Sequence, residues 1–217
     1  MQVRILPPLP ITRSPERAYS YLLGIYLGDG HIGRANARAK TAYRLQIYLN
    51  AKQHDVIARV VAAIGTIMPD RSVTSVPHTG AIALSIYSSA WPWLFPQHGP
   101  GRKHTRVIRL EPWQAAVVQQ CPEEFLRGLI ESDGCRHRRM VGGRNYPAYA
   151  FKNHSTDILG LFTWACDLVG LRWRRANRVT ISIARRPEVA RLDAMFGVTS
   201  ESPSQPGTPM TDPAGSC

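Results

Sequence analysis

The chain has 217 residues and a formal net charge of +12, from 27 lysines and arginines against 15 aspartates and glutamates. No run of eighteen apolar residues occurs, which argues against a membrane-spanning helix, and early prolines argue against a signal peptide. We therefore expect a cytoplasmic protein with no membrane partner and with a surface that favours polyanions.

The first half of the chain predicts the element order α-β-β-α-β-β-α. Ser14-Pro15-Glu16 begins a helix that runs to Asp29. After a weak strand from His31, hydrophobic periodicity and turn residues predict a strand over 44–49, a helix over 53–64, a hairpin of 73–76 with 81–87, and a short helix over 91–94.

The second half predicts the same order again. A helix from Pro122 to Asp133 precedes strands over 136–141 and 148–152, a helix over 157–169 closed by Gly170, a hairpin of 171–175 with 178–184, and a helix over 187–196. We expect an N-terminal extension, a first half-domain, a linker, a second half-domain and a disordered tail over residues 1–13, 14–96, 97–120, 121–197 and 198–217.

The two halves share a nonapeptide pattern, LLGIYLGDG at 22–30 and LRGLIESDG at 126–134. Gly24 and Gly28, like Gly128 and Ser132, are four residues apart and therefore lie on one helix face. Glycine inside a helix costs about 1 kcal/mol relative to alanine, so its repeated use indicates a packing role. The pattern predicts two helices in close contact on a pseudo-twofold axis.

Each nonapeptide ends in an Asp-Gly pair. Gly30 and Gly134 stand where a helix C-terminus often needs a positive φ. Asp29 and Asp133 then lie in the last turn, where the helix dipole disfavours a negative charge. Two acids placed against that dipole indicate an external cation, and a divalent metal is the first candidate.

The paired nonapeptides resemble the LAGLIDADG motif of homing endonucleases, in the single-chain form with two motifs. The resemblance extends from about residue 14 to about residue 197. It implies an α+β fold of two pseudo-symmetric αββαββα half-domains, packed through the two motif helices, whose antiparallel sheets form a DNA-binding saddle. Position six of the motif is often acidic in the family; here it is Leu27 in the first copy and Glu131 in the second.

The resemblance also implies a function. A monomer would hydrolyse phosphodiester bonds at a long, asymmetric site in double-stranded DNA, with Mg²⁺ or Mn²⁺ as cofactor, in a nucleoid or an organelle matrix. The implied metal ligands are the carboxylates of Asp29 and Asp133 and the main-chain carbonyls of Gly28 and Ser132. The further catalytic candidates are two cations at the rim of the site, Lys103 and Arg185, and two polar residues that position water, Gln46 and Lys152.

Arginine greatly outnumbers lysine, which suits bidentate contacts to phosphate and guanine. By the two-residue period of a strand, Arg136 shares a face with Arg138, and Arg172 shares one with Arg174. A solvated sheet face is the alternative to a DNA-binding one. The candidate DNA-binding residues are Arg34, Arg38, Arg44, Arg71, Arg136, Arg138, Arg139, Arg172, Arg174 and Arg178.

Two other functions are compatible with this sequence. The chain could be a DNA-binding regulator that does not cleave, or a maturase that assists the folding of intron RNA. The presence of both Asp29 and Asp133 favours the enzyme, because a protein that only binds DNA has no need of acids beside phosphates. His31, His54, His78 and His137 lack the spacing of a zinc nuclease.

Overall fold

A computed structural model describes residues 14–35 and 42–198 of the chain. Its first elements are α1 (Pro15–Asp29), β1 (Gly30–Arg34), β2 (Tyr43–Asn50), α2 (His54–Ile67), β3 (Thr74–His78), β4 (Ala81–Ser88) and α3 (Trp91–Leu94). A 3₁₀ turn at Lys103–Thr105 follows, then α4 (Pro112–Gln120) and α5 (Pro122–Asp133). The last elements are β5 (Gly134–Val141), β6 (Arg144–Lys152), α6 (Thr156–Leu168), β7 (Arg174–Asn177), β8 (Thr180–Ile183) and α7 (Arg186–Phe196).

The strands form two antiparallel sheets with the same topology. Sheet A has the order β1-β2-β4-β3, and sheet B has the order β5-β6-β8-β7. The first residue of each sheet sits at an equivalent place, since Gly30 pairs with Ile47 and Gly134 pairs with Phe151. The predicted α+β fold of two similar halves is therefore confirmed. Within the described ranges, no helix is both long and apolar enough to cross a membrane.

Each sheet has one buried face and one face that we call the open face. In β2, Leu45, Ile47 and Leu49 are buried in the core. The side chains between them, including Gln46 and Tyr48, belong to the open face of sheet A. In β6, Tyr149 and Phe151 join the core, and the open face of sheet B carries Tyr146, Ala148, Ala150 and Lys152.

The two motif helices pack backbone against backbone. A Cβ added at Gly24 would lie 2.5 Å from the carbonyl oxygen of Phe125, and one added at Gly128 would lie 2.2 Å from that of Tyr21. Real Cβ atoms do not approach backbone so closely, so any larger residue would push α1 and α5 apart. The seam that the spacing of small residues predicts is therefore present.

Polar side chains join the same two helices at their outer edges. Arg17 of α1 forms an ion pair of 2.6 Å with Glu124 of α5. Glu131 accepts a hydrogen bond of 2.7 Å from the Tyr21 hydroxyl and pairs with Arg59 of α2 at 2.9 Å. The acid at position six of the second motif, Glu131, thus joins the second half of the chain to α1 and α2 of the first.

The expectation of a positive φ at the last glycine of each motif is wrong. Gly30 and Gly134 have φ of −86° and −100°, so neither adopts the left-handed conformation. Glycine is needed there for space, because an added Cβ would lie 2.7 Å from the Cα of Tyr26 or of Ile130, respectively. The extended backbone leads each motif helix directly into the first strand of its sheet. Asp29 and Asp133 are therefore the last residues of the two packed helices, at the end of the seam.

The segment 97–120, which the sequence predicts as the linker between the halves, contains α4. Glu111 and Gln114 form a capping box at the start of this helix. The buried amide of Gln114 donates a hydrogen bond of 2.6 Å to the Tyr19 hydroxyl of α1. The helix therefore packs on the first motif helix, while the exact boundaries of the two half-domains stay predictions.

Candidate active site

Asp29 and Asp133 meet across the seam, at the ends of α1 and α5. A Cβ added at Gly28 would lie 3.0 Å from the Oδ2 atom of Asp133 and 2.2 Å from the Oγ atom of Ser132. The absence of a side chain at Gly28 thus lets the second carboxylate reach over the first helix. The two acids that the sequence predicts to share a site are brought together.

Burial raises the pKa of both carboxylates, and repulsion by Asp133 adds to the shift of Asp29. Burial is the main cause that raises the pKa of Asp29 to about 7; the charge of Asp133 adds to it, and Lys103 opposes it. Burial also raises the pKa of Asp133, although a hydrogen bond of 2.7 Å from the Asn153 amide and the charge of Lys103 hold it down. The Asp29 carboxylate, in contrast, accepts no side-chain hydrogen bond from the described residues.

Lys103 is the cation whose charge acts on both acids. Its ammonium donates a hydrogen bond of 2.9 Å to the carbonyl of Gly28 and another to the carbonyl of Tyr26, and it stands 5.0 Å from the centroid of the Tyr26 ring. Burial lowers the pKa of Lys103 to about 8, while Asp133 and Asp29 act in the opposite direction. The lysine thus occupies the Gly28 carbonyl that the resemblance assigns to a metal.

The donor set fits a hard divalent cation. Magnesium is commonly held by one or two carboxylates, with water and substrate phosphate oxygens completing its coordination. Asp29 and Asp133 supply two carboxylates whose pKa values are raised mainly by burial, so a bound cation would stabilise their charged forms. In the described part of the chain, no three His, Cys, Asp or Glu residues cluster as metal ligands, so the remaining ligands would have to be backbone, water or DNA oxygens.

A cleft of about 430 Å³ opens beside the acids. It is lined by the ends of both motif helices, by the segment around Lys103 and by the end of β6. Its charged and imidazole-bearing residues are His31, Arg102, Lys103, His104, Arg106, Asp133, Lys152 and His154. Most of the cleft's side chains are basic or neutral, which suits a phosphate group brought up to the two acids.

The cleft includes residues that sequence reasoning missed. Asn153 follows β6 and bonds to Asp133, and Arg106 has a buried Nε atom without a hydrogen bond among the described residues. No local pattern marks either residue, because each reaches the site through the folding of its own loop. The cluster of glycines and cations at 99–106 was the one available signal for Arg106.

Gln46 and Lys152 were predicted on the second strand of each half, and the sheet registers place them at different positions on those strands. Lys152 follows Phe151, the partner of Gly134, and its counterpart after Ile47 is therefore Tyr48. Gln46 is equivalent to Ala150 instead. Lys152 lines the cleft, whereas Gln46 lies opposite His31 on the open face of sheet A and bonds weakly to the Tyr48 hydroxyl at 3.4 Å.

Arg185 lies away from the acids. Thr180 of β8 pairs with Lys152, near the cleft, and Ile183 pairs with Tyr149 farther along. Arg185 comes five residues after Thr180, about 16 Å along an extended chain at about 3.3 Å per residue. The structure thus places Lys103 and Lys152 at the cleft together and leaves Arg185 at the start of α7.

The predicted DNA-binding arginines fall into three groups. By register, Arg44, Arg139 and Arg174 belong to the open faces, since they pair with Tyr87, Tyr146 and Ser182. Arg34, Arg136 and Arg138 belong to the opposite faces, since they pair with Tyr43, Tyr149 and Pro147. Arg71, Arg172 and Arg178 are exposed outside the strands, and Arg38 lies outside the described residues.

Arg136 is engaged inside the second half. Its guanidinium donates two hydrogen bonds, of 2.8 and 3.0 Å, to the carboxylate of Asp193 on α7. The Tyr149 hydroxyl donates to the same carboxylate at 2.7 Å, and these donors lower the pKa of Asp193. Arg136 and Arg138 do share a face, as predicted, but it is the face packed on the helices, and the open face belongs to Arg139.

No family model and no curated protein matches this chain. Solved structures do match. The homing endonuclease I-DmoI, in complex with DNA and Mn, superposes with a TM-score of 0.56 at 11% identity, over 87% of this chain and 100% of that one. The LAGLIDADG meganuclease I-AabMI, bound to uncleaved DNA, gives 0.52 at 11% identity, over 82% and 83%.

The N-terminal LAGLIDADG domain of DUF199/WhiA matches as well, with a TM-score of 0.52 at 15% identity over 91% of this chain and 97% of that domain. Identities this low establish the fold alone. Both motif helices, the glycine seam and the two matching sheets agree with it. The chain therefore has the LAGLIDADG fold, in the single-chain form with two motifs that its paired nonapeptides predict.

Proposed function

We propose that this protein is a site-specific endonuclease that hydrolyses double-stranded DNA with the help of a divalent metal, Mg²⁺ or Mn²⁺. The observation that carries the proposal is the meeting of Asp29 and Asp133 across the glycine seam, beside a basic cleft. Burial raises the pKa of both acids, and the charge of Asp133 adds to the shift of Asp29, so the pair destabilises the metal-free fold and a bound cation would relieve that cost.

The chain's own residues have separate tasks in this reaction. The open faces of the two sheets would bind the duplex and bring one phosphate of each strand to the seam. Lys103, Arg106 and Lys152 line the cleft where that phosphate would lie, and Asn153 holds the carboxylate of Asp133 in one orientation. Lys103 can exchange its bond to the Gly28 carbonyl for a phosphate oxygen, because a long flexible side chain carries the ammonium.

Asp29, Asp133 and the nearby carbonyls of Gly28 and Ser132 would hold the metal. When bound, a divalent ion lowers the pKa of a water nucleophile and neutralises charge on the leaving 3′-oxygen. Since the two halves differ in sequence, the recognised site would be long and asymmetric. One chain supplies both acids, so we propose that it acts as a monomer wherever its target DNA is kept, in a nucleoid or an organelle matrix.

The test is incubation of the full chain with a randomised duplex library and Mg²⁺, followed by sequencing of the cut ends. The Asp133→Asn protein serves as the matched control. We expect defined double-strand breaks from the wild-type protein and none from the control. Identical cutting by both proteins would show that the acid pair is not the active centre and would refute the proposed mechanism.

One observation favours a second function, DNA binding without cleavage. The ammonium of Lys103 already donates a hydrogen bond to the carbonyl of Gly28, so one of the proposed metal ligands is occupied by a cation of the chain itself. The second function is correct if the wild-type protein selects a sequence from the library and leaves it intact, and if the Lys103→Met protein also leaves that sequence intact with Mg²⁺ or Mn²⁺.

A further inference from the structure

The open face of sheet A is almost free of cations among the described residues. Reading across its strands, the register aligns His31, Gln46, Ser85 and Thr74 in one row and Tyr48, Ala83 and Val76 in the next. Tyr48, Val76 and Tyr87 are 46%, 44% and 47% exposed although they are large and hydrophobic. Arg44 is the one lysine or arginine that the described strands place on this face.

The open face of sheet B has the opposite character. Arg139 pairs with Tyr146, Arg144 pairs with Val141, and Arg174 pairs with Ser182, so all three belong to this face, as does Lys152 at the cleft. None of the three arginines forms an ion pair within residues 14–35 and 42–198. Their guanidinium groups are therefore available to a ligand.

These two surfaces suit different bases. In the major groove, arginine makes its best bidentate contact with guanine, amides such as Asn50 pair with adenine, and apolar groups contact the methyl group of thymine. Resting on the proposed binding of duplex DNA, we propose that sheet A recognises an A·T-rich half-site through uncharged side chains, and that sheet B recognises a guanine-containing half-site through Arg139, Arg144 and Arg174.

The competing explanation is that the arginines of sheet B contact phosphates only. A phosphate contact weakens binding evenly over all sequences and lowers the salt dependence of the affinity, by about one unit of slope for each cation. A base contact weakens binding to one base at one position. The two explanations therefore predict different outcomes for the same variant.

The register offers matched controls, because neighbouring residues of one strand point to opposite faces. Arg174 pairs with Ser182 on the open face, and Arg175 pairs with Ile181 on the buried face. In sheet A, Val76 pairs with Ala83 on the open face, and Ser75 pairs with Leu84 on the other. Each pair of variants changes charge by the same amount at nearly the same place.

The experiment is selection of bound duplexes by the full chain from a library randomised over both half-sites, in EDTA so that no duplex is cut. We expect an A·T-rich half-site joined to a guanine-containing one. Arg174→Gln should reduce the preference for one guanine by roughly five- to 150-fold, the range of a good bidentate contact. Arg175→Gln should leave both half-sites unchanged.

Variants of sheet A locate the other half-site. Val76→Arg should create a guanine preference within the A·T-rich half, and Ser75→Arg should not. Half-sites of equal composition, or an Arg174→Gln protein that loses affinity evenly for every sequence, would overturn the inference while leaving the proposed function intact. Failure of the wild-type protein to bind any duplex at low salt would instead refute the proposed function itself, and the inference with it.

Discussion

The ends of the two motif helices have the same backbone path and different chemistry. Asp133 accepts a hydrogen bond from Asn153, whereas Asp29 has only the field of Lys103 to offset its burial. The helix before Asp29 carries Gly28 where its counterpart carries Ser132. Both acids lie at the same seam but have different neighbours. The two buried charges therefore destabilise the fold by unequal amounts.

The two halves also differ at position six of the motif and beside the cleft. Position six of the motif is Leu27 in the first copy, fully buried, and Glu131 in the second, bonded to Tyr21 and Arg59. Lys152 lines the cleft, and its counterpart by register in the first half is Tyr48. The two copies thus share the glycine at the crossing, which backbone packing requires, and an acid at each helix end, and they differ at position six and at the residue equivalent to Lys152.

The largest effect is expected from removing either acid. Asp29→Asn and Asp133→Asn should each abolish double-strand cleavage and leave DNA affinity largely intact, because the asparagine keeps the shape and loses the charge that a metal needs. The melting temperature without metal should rise more for Asp29→Asn, since Asp133 retains a hydrogen-bond donor in Asn153. Cleavage assays, binding assays and thermal melts of the three proteins check this.

Two results would contradict the comparison of the acids. Equal gains in melting temperature would mean that the Asn153 hydrogen bond does not distinguish them. Full cleavage by one variant would mean that a single acid is sufficient. Asp70→Asn is the control, because Asp70 is exposed in the loop before β3 and should change neither property.

The next largest effect concerns salt. If the cleft and the open faces contact about 6–10 phosphates, DNA affinity should fall by roughly 10³–10⁵ between about 50 and 200 mM salt. Lys152→Met should reduce the slope by about one unit, and Tyr48→Phe, at the equivalent position, should leave it unchanged. Titrations at several salt concentrations check this, and an affinity that does not depend on salt would refute the proposed DNA partner.

Substitution in the seam should cost stability in both halves. Gly24→Leu or Gly128→Leu should force α1 and α5 apart and destabilise the fold by at least about 1–3 kcal/mol through overpacking. Gly24→Ala should also destabilise it, because even a Cβ would meet backbone at 2.5 Å. Chemical denaturation measures both effects.

Gly160 in α6 is the matched control for the seam. Nothing lies within 4 Å of an added Cβ there, so Gly160→Ala should stabilise the protein by up to about 1 kcal/mol through helix propensity. A gain in stability for Gly24→Ala similar to that for Gly160→Ala would show that the two motif helices do not touch at these glycines in solution.

Much of this fold could be predicted from the sequence, because short-range patterns specify it. The seam follows from small residues at a spacing of four, and most helices and strands follow from their hydrophobic period. Helix α4 was missed because Val118 is its one buried apolar residue, and its other buried residue, Gln114, is held by hydrogen bonds to Tyr19, Leu94 and Gln97 elsewhere in the chain. A buried amide leaves no hydrophobic signal in a sequence.

The faces of the arginines were harder to predict. The alternation in β5 places Arg136 with Arg138, but neither set of alternate residues in that strand forms an apolar stripe. The buried face is decided by Asp193 on α7, which binds Arg136 and Tyr149. In the same way, the pairing of Asp133 with Asn153 depends on tertiary packing and not on spacing.

The smallest predicted effect is a pH dependence that isolates Asp29. Its folded pKa of about 7 lies above the ordinary 3.8, so the folded state takes up a proton first as the pH falls. The free energy of unfolding should therefore increase as the pH is lowered from about 8 to about 5.

Two other groups titrate nearby. Lys103, with a folded pKa of about 8 against 10.5, destabilises the fold as the pH falls toward 8, and its contribution changes little below pH 8. His31, whose pKa is lowered, opposes the rise near its ordinary value of 6.5. The difference between the wild-type and Asp29→Asn proteins, measured by chemical denaturation in EDTA, removes the contribution of His31, because both proteins share it, and keeps the titration of Asp29 together with its charge interactions with Asp133 and Lys103. We expect the free energy of unfolding of the wild-type protein to approach that of the variant as the pH falls. A constant difference between the two proteins at every pH would show that the charge of Asp29 does not destabilise the fold.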